Sequence, residues 1–393
     1  MKAAVLHGQE DVRIEEMDSP ALQSGEVRIR IGAALTCGTD LKVYRRGYHA
    51  RMITPPAVFG HEFAGTITEI AEGVTDWKTG DRAVAANSAP CGQCPYCERH
   101  QPNLCDDLLF LNGAYAESIV VPARIVVKNL LRLSADTTFA DAALTEPLAC
   151  VVQGIDDCQF QSGHRILIIG SGPIGLMFAK LAQHDGCEVH LAGRGEARLQ
   201  TAAQLGATTH EVHGDDVVAA TSASGPFDVV IEAVGKPACW EAAVNLVRKG
   251  GTVNFFGGCP KGTAITLETE RIHYSNLKLL ASFHHTPTTI RKALKHIEAA
   301  RIRSEDFVTG NCSLNELPAI FQEMAQGNRA VKTHIHTQPN TPYHASATHE
   351  PPRPRRLHYP RVGPFCATTA IPLAHSSGRT GPAGTHRLNH DPP

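Results

Sequence analysis

The stretch HRILIIGSGPIG, residues 164–175, decides the fold of the central part of this 393-residue chain. A continuous apolar run ends in glycine, as a buried strand of a parallel sheet does, and the pattern G-x-G-x-x-G follows at once. Such glycines permit a tight turn and close backbone approach, and the helix that follows offers its N-terminus to a pyrophosphate. A purely structural glycine turn is the weaker alternative. The prediction is a dinucleotide site at Gly170, Gly172, Pro173, Ile174 and Gly175.

Downstream of this turn, strand-like and helix-like segments alternate. Apolar runs at 187–192, 227–234 and 251–256 are separated by helical patterns that end near Gly186 and Gly206. Alternation of this kind is typical of a parallel, doubly wound sheet. After about residue 288 the pattern predicts two further helices and a closing strand in AVKTHIH.

Upstream, the chain has a different pattern. Segments 27–31, 64–70 and 82–85 are short, rich in β-formers and separated by turn residues, which predicts a barrel-like β domain. The fold class is therefore α/β, a β-rich domain followed by a Rossmann-type sheet. Residues 337–393 are rich in proline and show no hydrophobic period, so we expect a disordered tail.

The end of the second strand of the sheet bears on the choice of cofactor. An NAD enzyme carries an acid there that binds the ribose 2′-hydroxyl. This chain has Gly193 and Arg194 instead. A small residue leaves room for a 2′-phosphate and a guanidinium can bind it, so NADP is favoured over NAD. The alternative is that Arg194 stacks on adenine or faces solvent.

Four cysteines with C-x2-C-x2-C-x7-C spacing predict a tetrahedral zinc site at Cys91, Cys94, Cys97 and Cys105. The less favoured interpretation is that the spacing is accidental and the four cysteines are free thiols that bind no metal. A zinc module that binds nucleic acid is disfavoured because no basic stripe surrounds the segment.

Composition excludes several classes of function. A formal net charge of −2 argues against a general binder of polyanions. The N-terminus lacks the apolar region of a signal peptide, and no run approaches the roughly 20 apolar residues of a membrane span. Twelve cysteines in such a chain are read as thiols and metal ligands in a reducing compartment. We expect a cytoplasmic protein without nucleic-acid or membrane partners.

Residues 1 to about 336 resemble the zinc-containing medium-chain dehydrogenases, especially their polyol (sorbitol-like) and threonine dehydrogenase branches. The matching segments are TCGTD (36–40), GHEFAG (60–65), GDRAV (80–84), the four-cysteine segment, EPLAC (146–150) and the glycine turn. The resemblance implies a GroES-like catalytic domain over 1–153 and 289–336 and a Rossmann domain over 154–288. It also implies that the zinc in the lobe at about 88–107 is structural.

Carried over position by position, the resemblance implies a second, catalytic zinc. Cys37 and His61 would hold it, with Glu62 or Glu146 as a further ligand. A thiolate, an imidazole and a carboxylate suit a zinc ion that keeps one position open. Thr39 resembles the family residue whose hydroxyl passes the alcohol proton outward. The alternative is that its hydroxyl caps a nearby backbone group of the loop. The other residues expected to line the cofactor are Gly193, Arg194, Arg198, Val234, Gly235, Phe256 and Gly257.

The reaction implied is hydride transfer between a secondary alcohol (a polyol, sugar alcohol or amino alcohol) and NAD(P). Zinc acts in it as a Lewis acid on the alcohol oxygen. Lys42 stands where the threonine dehydrogenase branch has a histidine, and Val43 where the polyol branch has a tyrosine. Lys42, His49 or water would then serve as the proton relay. The resemblance also implies a homodimer or homotetramer.

Two alternatives remain. One is a zinc-free quinone or enone reductase of the same superfamily, against which Cys37, His61 and Glu146 speak. The other is a non-catalytic NADPH-binding protein.

Overall fold

The computed structural model describes residues 1–49, 51–214, 216–327 and 330–338. The strands are β1 Lys2–Gly8, β2 Asp11–Glu16, β3 Val27–Leu35, β4 Ala57–Val58, β5 Glu62–Ile70, β6 Arg82–Ala85, β7 Ser88–Ala89, β8 Leu109–Phe110, β9 Ser118–Val121, β10 Leu130–Arg132, β11 Arg165–Ile169, β12 Glu188–Gly193, β13 Thr208–Glu211, β14 Phe227–Glu232, β15 Val247–Phe255, β16 Lys278–Leu280, β17 Val308–Ser313 and β18 Lys332–His336. The helices are α1 Gly38–Arg46, α2 Pro95–Glu98, α3 Ala123–Asn129, α4 Phe139–Ala142, α5 Thr145–Cys158, α6 Pro173–His184, α7 Glu196–Gln204, α8 Val217–Thr221, α9 Pro237–Leu246, α10 Thr269–Tyr274, α11 Pro287–Glu298 and α12 Leu317–Ala325.

The central sheet has six strands in the order β13-β12-β11-β14-β15-β16, and its pairings are parallel. The strand order reverses between β11 and β14, and ligands of open α/β sheets bind at such a switch point, beyond the carboxyl ends of the strands. The predicted doubly wound sheet is confirmed. Its short edge strands, β13 and β16, were not predicted.

The β-rich region is built on a seven-stranded sheet with the order β10-β6-β5-β3-β18-β17, in which β9 also pairs with β3. A smaller sheet, β2-β1-β4, lies beside it. The predicted strands 27–31, 64–70 and 82–85 fall within β3, β5 and β6. The predicted closing strand is β18, which pairs antiparallel with β3 and parallel with β17.

Helix α5 lies between the two regions. Its buried face belongs to the same apolar cluster as α6 and α11. Gly154 makes the contact possible, because a Cβ there would lie 2.6 Å from the ring of Phe178. The close packing sets the position of Glu146, in the first turn of α5, relative to the central parallel sheet.

The tail predicted from residue 337 lies outside the described residues except at its start. Gln338 donates to the carbonyls of Ile31 and Glu117, at 3.1 and 2.8 Å, and the Thr337 hydroxyl donates to Ile31 O at 3.2 Å. These two residues therefore continue the attachment of β18.

Candidate functional site

The glycine turn after β11 has the geometry that its sequence predicts. Gly170 has φ +126°, a conformation that favours glycine, and a Cβ at Gly175 would lie 1.9 Å from Gly170 O. Gly172 is the N-cap of α6, and a Cβ there would meet nothing within 4 Å. The first N–H groups of α6 therefore stand at an open surface where a pyrophosphate can approach the backbone.

The end of β12 leaves no room for an acidic side chain. A Cβ at Gly193 would lie 2.4 Å from Ser171 Cβ. Ser171 Oγ donates to Arg194 O at 2.8 Å and accepts from Arg194 N at 3.2 Å, which ties the glycine turn to the end of β12. Arg194 is exposed beside this junction, whereas Arg198 donates to Ala330 O at 3.2 Å.

A buried carboxylate shapes the loop after β14. Glu232 Oε1 accepts from the backbone N–H groups of Val234 and Gly235, at 2.9 and 3.0 Å. Trp240 Nε1 donates to Gly257 O at 2.9 Å, so the loops after β14 and β15 are fastened together. Burial raises the pKa of Glu232 to about 7, although these N–H groups oppose the shift.

The four predicted lobe cysteines converge. Cys91, Cys94, Cys97 and Cys105 place their sulfur atoms within 4.8 Å of one another. Backbone N–H groups point at three of these sulfurs: Cys91 N at Cys105 Sγ (3.2 Å), Gly92 N at Cys97 Sγ (3.4 Å) and Gln93 N at Cys91 Sγ (3.4 Å). N–H groups of Cys97 and Asp106 lower the pKa of Cys94 to about 6. The thiolate form that zinc requires is thus favoured at that ligand.

A second group forms where α1 begins. Cys37 is the N-cap of α1, and its sulfur accepts from Thr39 N at 3.4 Å. Asp40 completes the capping box, since its Oδ2 accepts from Cys37 N at 3.2 Å. The helix N-terminus presents its positive end to the Cys37 sulfur. Burial nevertheless dominates and raises the pKa of the Cys37 thiol above its ordinary value.

His61 is held from behind by Asp40. The Nδ1 of His61 lies 2.9 Å from Asp40 Oδ1, and both side chains are buried. The Tyr115 hydroxyl also donates to Asp40. The tyrosine ring fits here because residue 60 is a glycine, since a Cβ at Gly60 would lie 2.6 Å from the ring. A carboxylate on one imidazole nitrogen fixes the ring and leaves Nε2 for a metal. Burial acts to lower the pKa of His61, but Asp40 and Cys37 outweigh it and raise that pKa well above its ordinary value.

Glu62 forms a buried ion pair that is distant in sequence. Lys332 Nζ, on β18, lies 2.5 Å from Glu62 Oε2 and donates to Thr36 O at 3.0 Å. The side chains of Glu62 and Lys332 are 0% and 2% exposed. Among the described residues nothing donates to the other carboxylate oxygen, Glu62 Oε1. That oxygen is available to a cation.

Glu146 is buried at the start of α5, and its carboxylate interacts electrostatically with His61 and Glu62. Its carboxylate is clustered with the Cys150 sulfur and a ring nitrogen of His284, all within 4.8 Å of one another. Burial raises the pKa of Glu146 to about 7. His285 Nε2 lies 3.8 Å from Glu146 Oε1.

The predicted site residues are thus partly brought together. Cys37, His61 and Glu62 converge within 4.8 Å, and Glu146 faces Cys150 and His284. Sequence reasoning assigned no role to Asp40, Tyr115 or Lys332, and it did not place His284 at the site.

The donors of the Cys37 group suit zinc. They comprise one sulfur, one nitrogen and one oxygen, which leaves a fourth position of a tetrahedron open. The buried, unpartnered Glu62 Oε1 is a further sign that a cation belongs there. Four cysteines within one short segment form a closed site, which is typical of structural zinc.

Comparisons with known proteins cover both regions of the fold. Residues 23–131 match the alcohol dehydrogenase GroES-like domain model, and residues 173–299 match the zinc-binding dehydrogenase model. D-arabinitol dehydrogenase 1 of Uromyces fabae is 30% identical over 83% of this chain and 94% of its own length. D-altritol 5-dehydrogenase of Agrobacterium fabrum is 33% identical over 78% of this chain and 91% of its own length.

Solved structures are similar over the same region. A protein described as a zinc-binding dehydrogenase, from Sinorhizobium meliloti 1021 and bound to NADP, superposes with a TM-score of 0.77. It is 28% identical and the match covers 85% of this chain and 98% of that one. In the part of the chain that the structure describes, no helix has the length and apolar character needed to cross a membrane.

Proposed function

This chain belongs to the zinc-binding alcohol dehydrogenase family with a GroES-like domain, and we propose that it oxidises a secondary alcohol of a polyol or sugar alcohol with NADP or NAD. The observation that carries the proposal is the Cys37–His61–Glu62 donor group. The two relatives named above, an arabinitol and an altritol dehydrogenase, favour a polyol over other alcohols.

We assign the metal ligands from the donor geometry. Cys37, His61 and Glu62 would hold the catalytic zinc, and the four lobe cysteines would hold a structural zinc. The catalytic zinc, when bound, supplies Lewis acidity toward the oxygen of the substrate.

The surrounding residues position these ligands and manage charge. Asp40 orients the His61 ring through Nδ1. Lys332 balances the charge of Glu62 in the absence of other cations. Thr39, beside Cys37 in the first turn of α1, is the proposed acceptor of the alcohol proton on its way to solvent.

We propose that the cofactor is NADP rather than NAD. Three features support this: the crowding at Gly193 that rules out an acidic side chain, the exposed Arg194 beside it, and the NADP bound to the related structure. Calorimetric titration of wild-type and Arg194→Ala protein with NADPH and NADH tests the assignment. The variant should bind NADPH about tenfold more weakly and NADH almost unchanged. Equal loss for both cofactors would leave Arg194 with no role in the choice.

The substrate proposal is tested by a panel of alcohols. Purified zinc-loaded protein is incubated with NADP or NAD and with sorbitol, arabinitol, altritol, threonine or a simple secondary alcohol, and reduced cofactor is followed at its nicotinamide absorbance. Polyols should give the highest kcat/KM. Oxidation of NADPH by a quinone or an enone, without oxidation of any alcohol, would favour the zinc-free reductase alternative. Cofactor binding without turnover of any compound would favour the non-catalytic alternative.

We also propose that the chain acts in the cytoplasm as a homodimer or homotetramer. Light scattering on the eluting zinc-loaded protein measures the assembly. A monomer at micromolar concentration would contradict the proposed assembly and leave the reaction unaffected.

A further inference from the structure

His49 lies in a tight turn that follows α1, the His49 turn (residues 49 and 51–53). Its backbone pairs with that of Ile53 as an isolated antiparallel bridge, since His49 N donates to Ile53 O at 3.0 Å and Ile53 N donates to His49 O at 3.3 Å. The ring nitrogen Nδ1 of His49 accepts from the backbone N–H groups of Arg51 and Met52, at 3.3 and 3.1 Å. The ring is therefore held in one orientation by the backbone of its own turn.

These contacts also fix the tautomer of His49. A ring nitrogen that accepts from N–H groups carries no proton, so the neutral ring carries its proton on Nε2. Burial lowers the pKa of His49, and the charges of Arg46, His61 and Arg51 lower it further. Near pH 7 the side chain is therefore a neutral N–H donor at Nε2.

No protein group takes up this donor. Among the residues that the structure describes, none accepts from His49 Nε2, and the side chain is only partly buried. The bonds from Arg51 and Met52 occupy the other side of the ring, so Nε2 faces out of the His49 turn. A fixed donor without a protein acceptor is available to an oxygen of a ligand.

Two neighbouring residues tie the His49 turn to a proposed ligand of the catalytic zinc. Asn112 Nδ2 donates to Met52 O at 2.8 Å. The next residue, Gly113, donates its backbone N–H to Gly60 O at 2.8 Å, and Gly60 directly precedes His61. The His49 turn and His61 are thus anchored on adjacent residues of one segment.

The same segment also contacts His284. Phe110 packs against the His284 ring, with ring centroids 5.6 Å apart, and a ring nitrogen of His284 lies within 4.8 Å of the Glu146 carboxylate. His61 interacts electrostatically with both His284 and His49. His49 and His284 therefore both border the proposed catalytic zinc site.

We propose that His49 is a specificity-determining residue whose Nε2–H donates to a substrate oxygen other than the one that reacts. The inference rests on the proposed function and narrows its substrate class to alcohols that carry a second oxygen, as polyols do, in preference to simple secondary alcohols. It also separates His49 from the proton relay. Nε2 already carries a proton and Nδ1 is bound by N–H groups, so the ring has no free lone pair that could accept the alcohol proton.

Two substitutions separate the donor from the turn. In His49→Asn the amide oxygen can accept from Arg51 N and Met52 N, as asparagine does in turns of this kind, but the donor at the place of Nε2 is lost. In His49→Gln the longer side chain brings its amide nitrogen near the place of Nε2, but the bonds within the turn are lost.

Steady-state kinetics of the zinc-loaded enzyme with arabinitol and propan-2-ol measure both changes. His49→Asn should lower kcat/KM for arabinitol about tenfold, through KM, because one neutral hydrogen bond to the substrate is lost. It should change kcat/KM for propan-2-ol less than about twofold, since that alcohol has no second oxygen. The control His184→Asn replaces an exposed histidine in the last turn of α6 and should match wild type.

The order of the variants separates donation from a structural role. His49→Gln should keep more activity toward arabinitol than His49→Asn, and the pH profile of kcat should be unchanged in both. The reverse order would mean that His49 only shapes its turn, and would overturn the proposal. Equal losses of kcat for both alcohols with an altered pH profile would identify a proton relay and contradict it as well.

Nitrogen NMR tests the proposal without turnover. In zinc-loaded protein that carries isotope-labelled histidine and reduced cofactor, the His49 signals are those that His49→Asn lacks. Nδ1 should be unprotonated, and arabinitol but not propan-2-ol should shift the Nε2 signal. A proton on Nδ1, or an Nε2 signal that arabinitol leaves unmoved, would refute the role of His49. A protein that oxidises no alcohol would contradict the proposed function, and the nitrogen signals would still decide the role of His49.

Discussion

Replacement of Lys332 by methionine should leave the buried Glu62 carboxylate without its ion-pair partner and destabilise the fold. Lys332 Nζ and Glu62 Oε2 are 2.5 Å apart. At an effective dielectric constant of about 20, the attraction of two unit charges at that distance is about 6–7 kcal/mol. Part of this lost attraction is offset, because a buried charged lysine carries a desolvation cost that a buried methionine does not. The expected loss in the free energy of unfolding of metal-free protein is about 3–5 kcal/mol, as for other buried pairs that lose one partner.

Urea denaturation of chelator-treated protein measures this loss. The double variant Glu62→Gln/Lys332→Met should recover most of it, because no uncompensated charge stays buried. The control is Lys292→Met, which breaks an exposed pair with Asp156 (side chains 48% and 41% exposed) and should cost less than about 1 kcal/mol.

Zinc loading provides a second readout. In Lys332→Met the Glu62 carboxylate lacks its lysine partner, so zinc at the Cys37 group should bind more tightly and restore part of the stability. A Lys332→Met protein as stable as Lys292→Met, with unchanged zinc affinity, would refute the reasoning that Lys332 balances the charge of Glu62.

Two further predictions concern other parts of the chain. Cys94→Ser should lose one zinc and lower Tm by several degrees, while the folded fraction still binds cofactor. Zinc analysis and thermal unfolding measure the two changes. Full zinc content and an unchanged Tm would contradict a structural zinc site. Burial raises the pKa of Glu232 to about 7 from an ordinary value near 4.5, so the folded state binds more protons and stability falls as pH rises from about 4.5 to 7. Relative to Glu232→Gln, the wild type should therefore lose about 2 kcal/mol between pH 5.5 and 8 in urea denaturation. Parallel pH profiles of the two proteins would show that Glu232 titrates normally.

The features that were predictable from sequence are those encoded within a few residues. The turn at 170–175 carries its own glycines, and the lobe carries its four cysteines within one segment. Asp40 also left a local sign that was not used, since Cys37 and Asp40 have the spacing of a capping box.

Contacts between distant segments could not be read in this way. Lys332 lies 270 residues from Glu62, and the strand that carries it, AVKTHIH, gives no sign of a partner in β5. His284 and Ser88 are 196 residues apart, and nothing in either segment identifies the other as its partner. The edge strands β13 and β16 were missed for another reason, since each has only three or four residues and weak alternation.

The most direct test of the account is alcohol oxidation by wild-type and Cys37→Ser protein, both carrying a full lobe zinc and both shown by circular dichroism to be folded. The account predicts that Cys37→Ser still binds NADPH but loses at least about a thousandfold in kcat, because the catalytic zinc is no longer held. Wild-type turnover in the Cys37→Ser variant, with zinc absent from the Cys37 group, would contradict the assignment of that group as the catalytic centre.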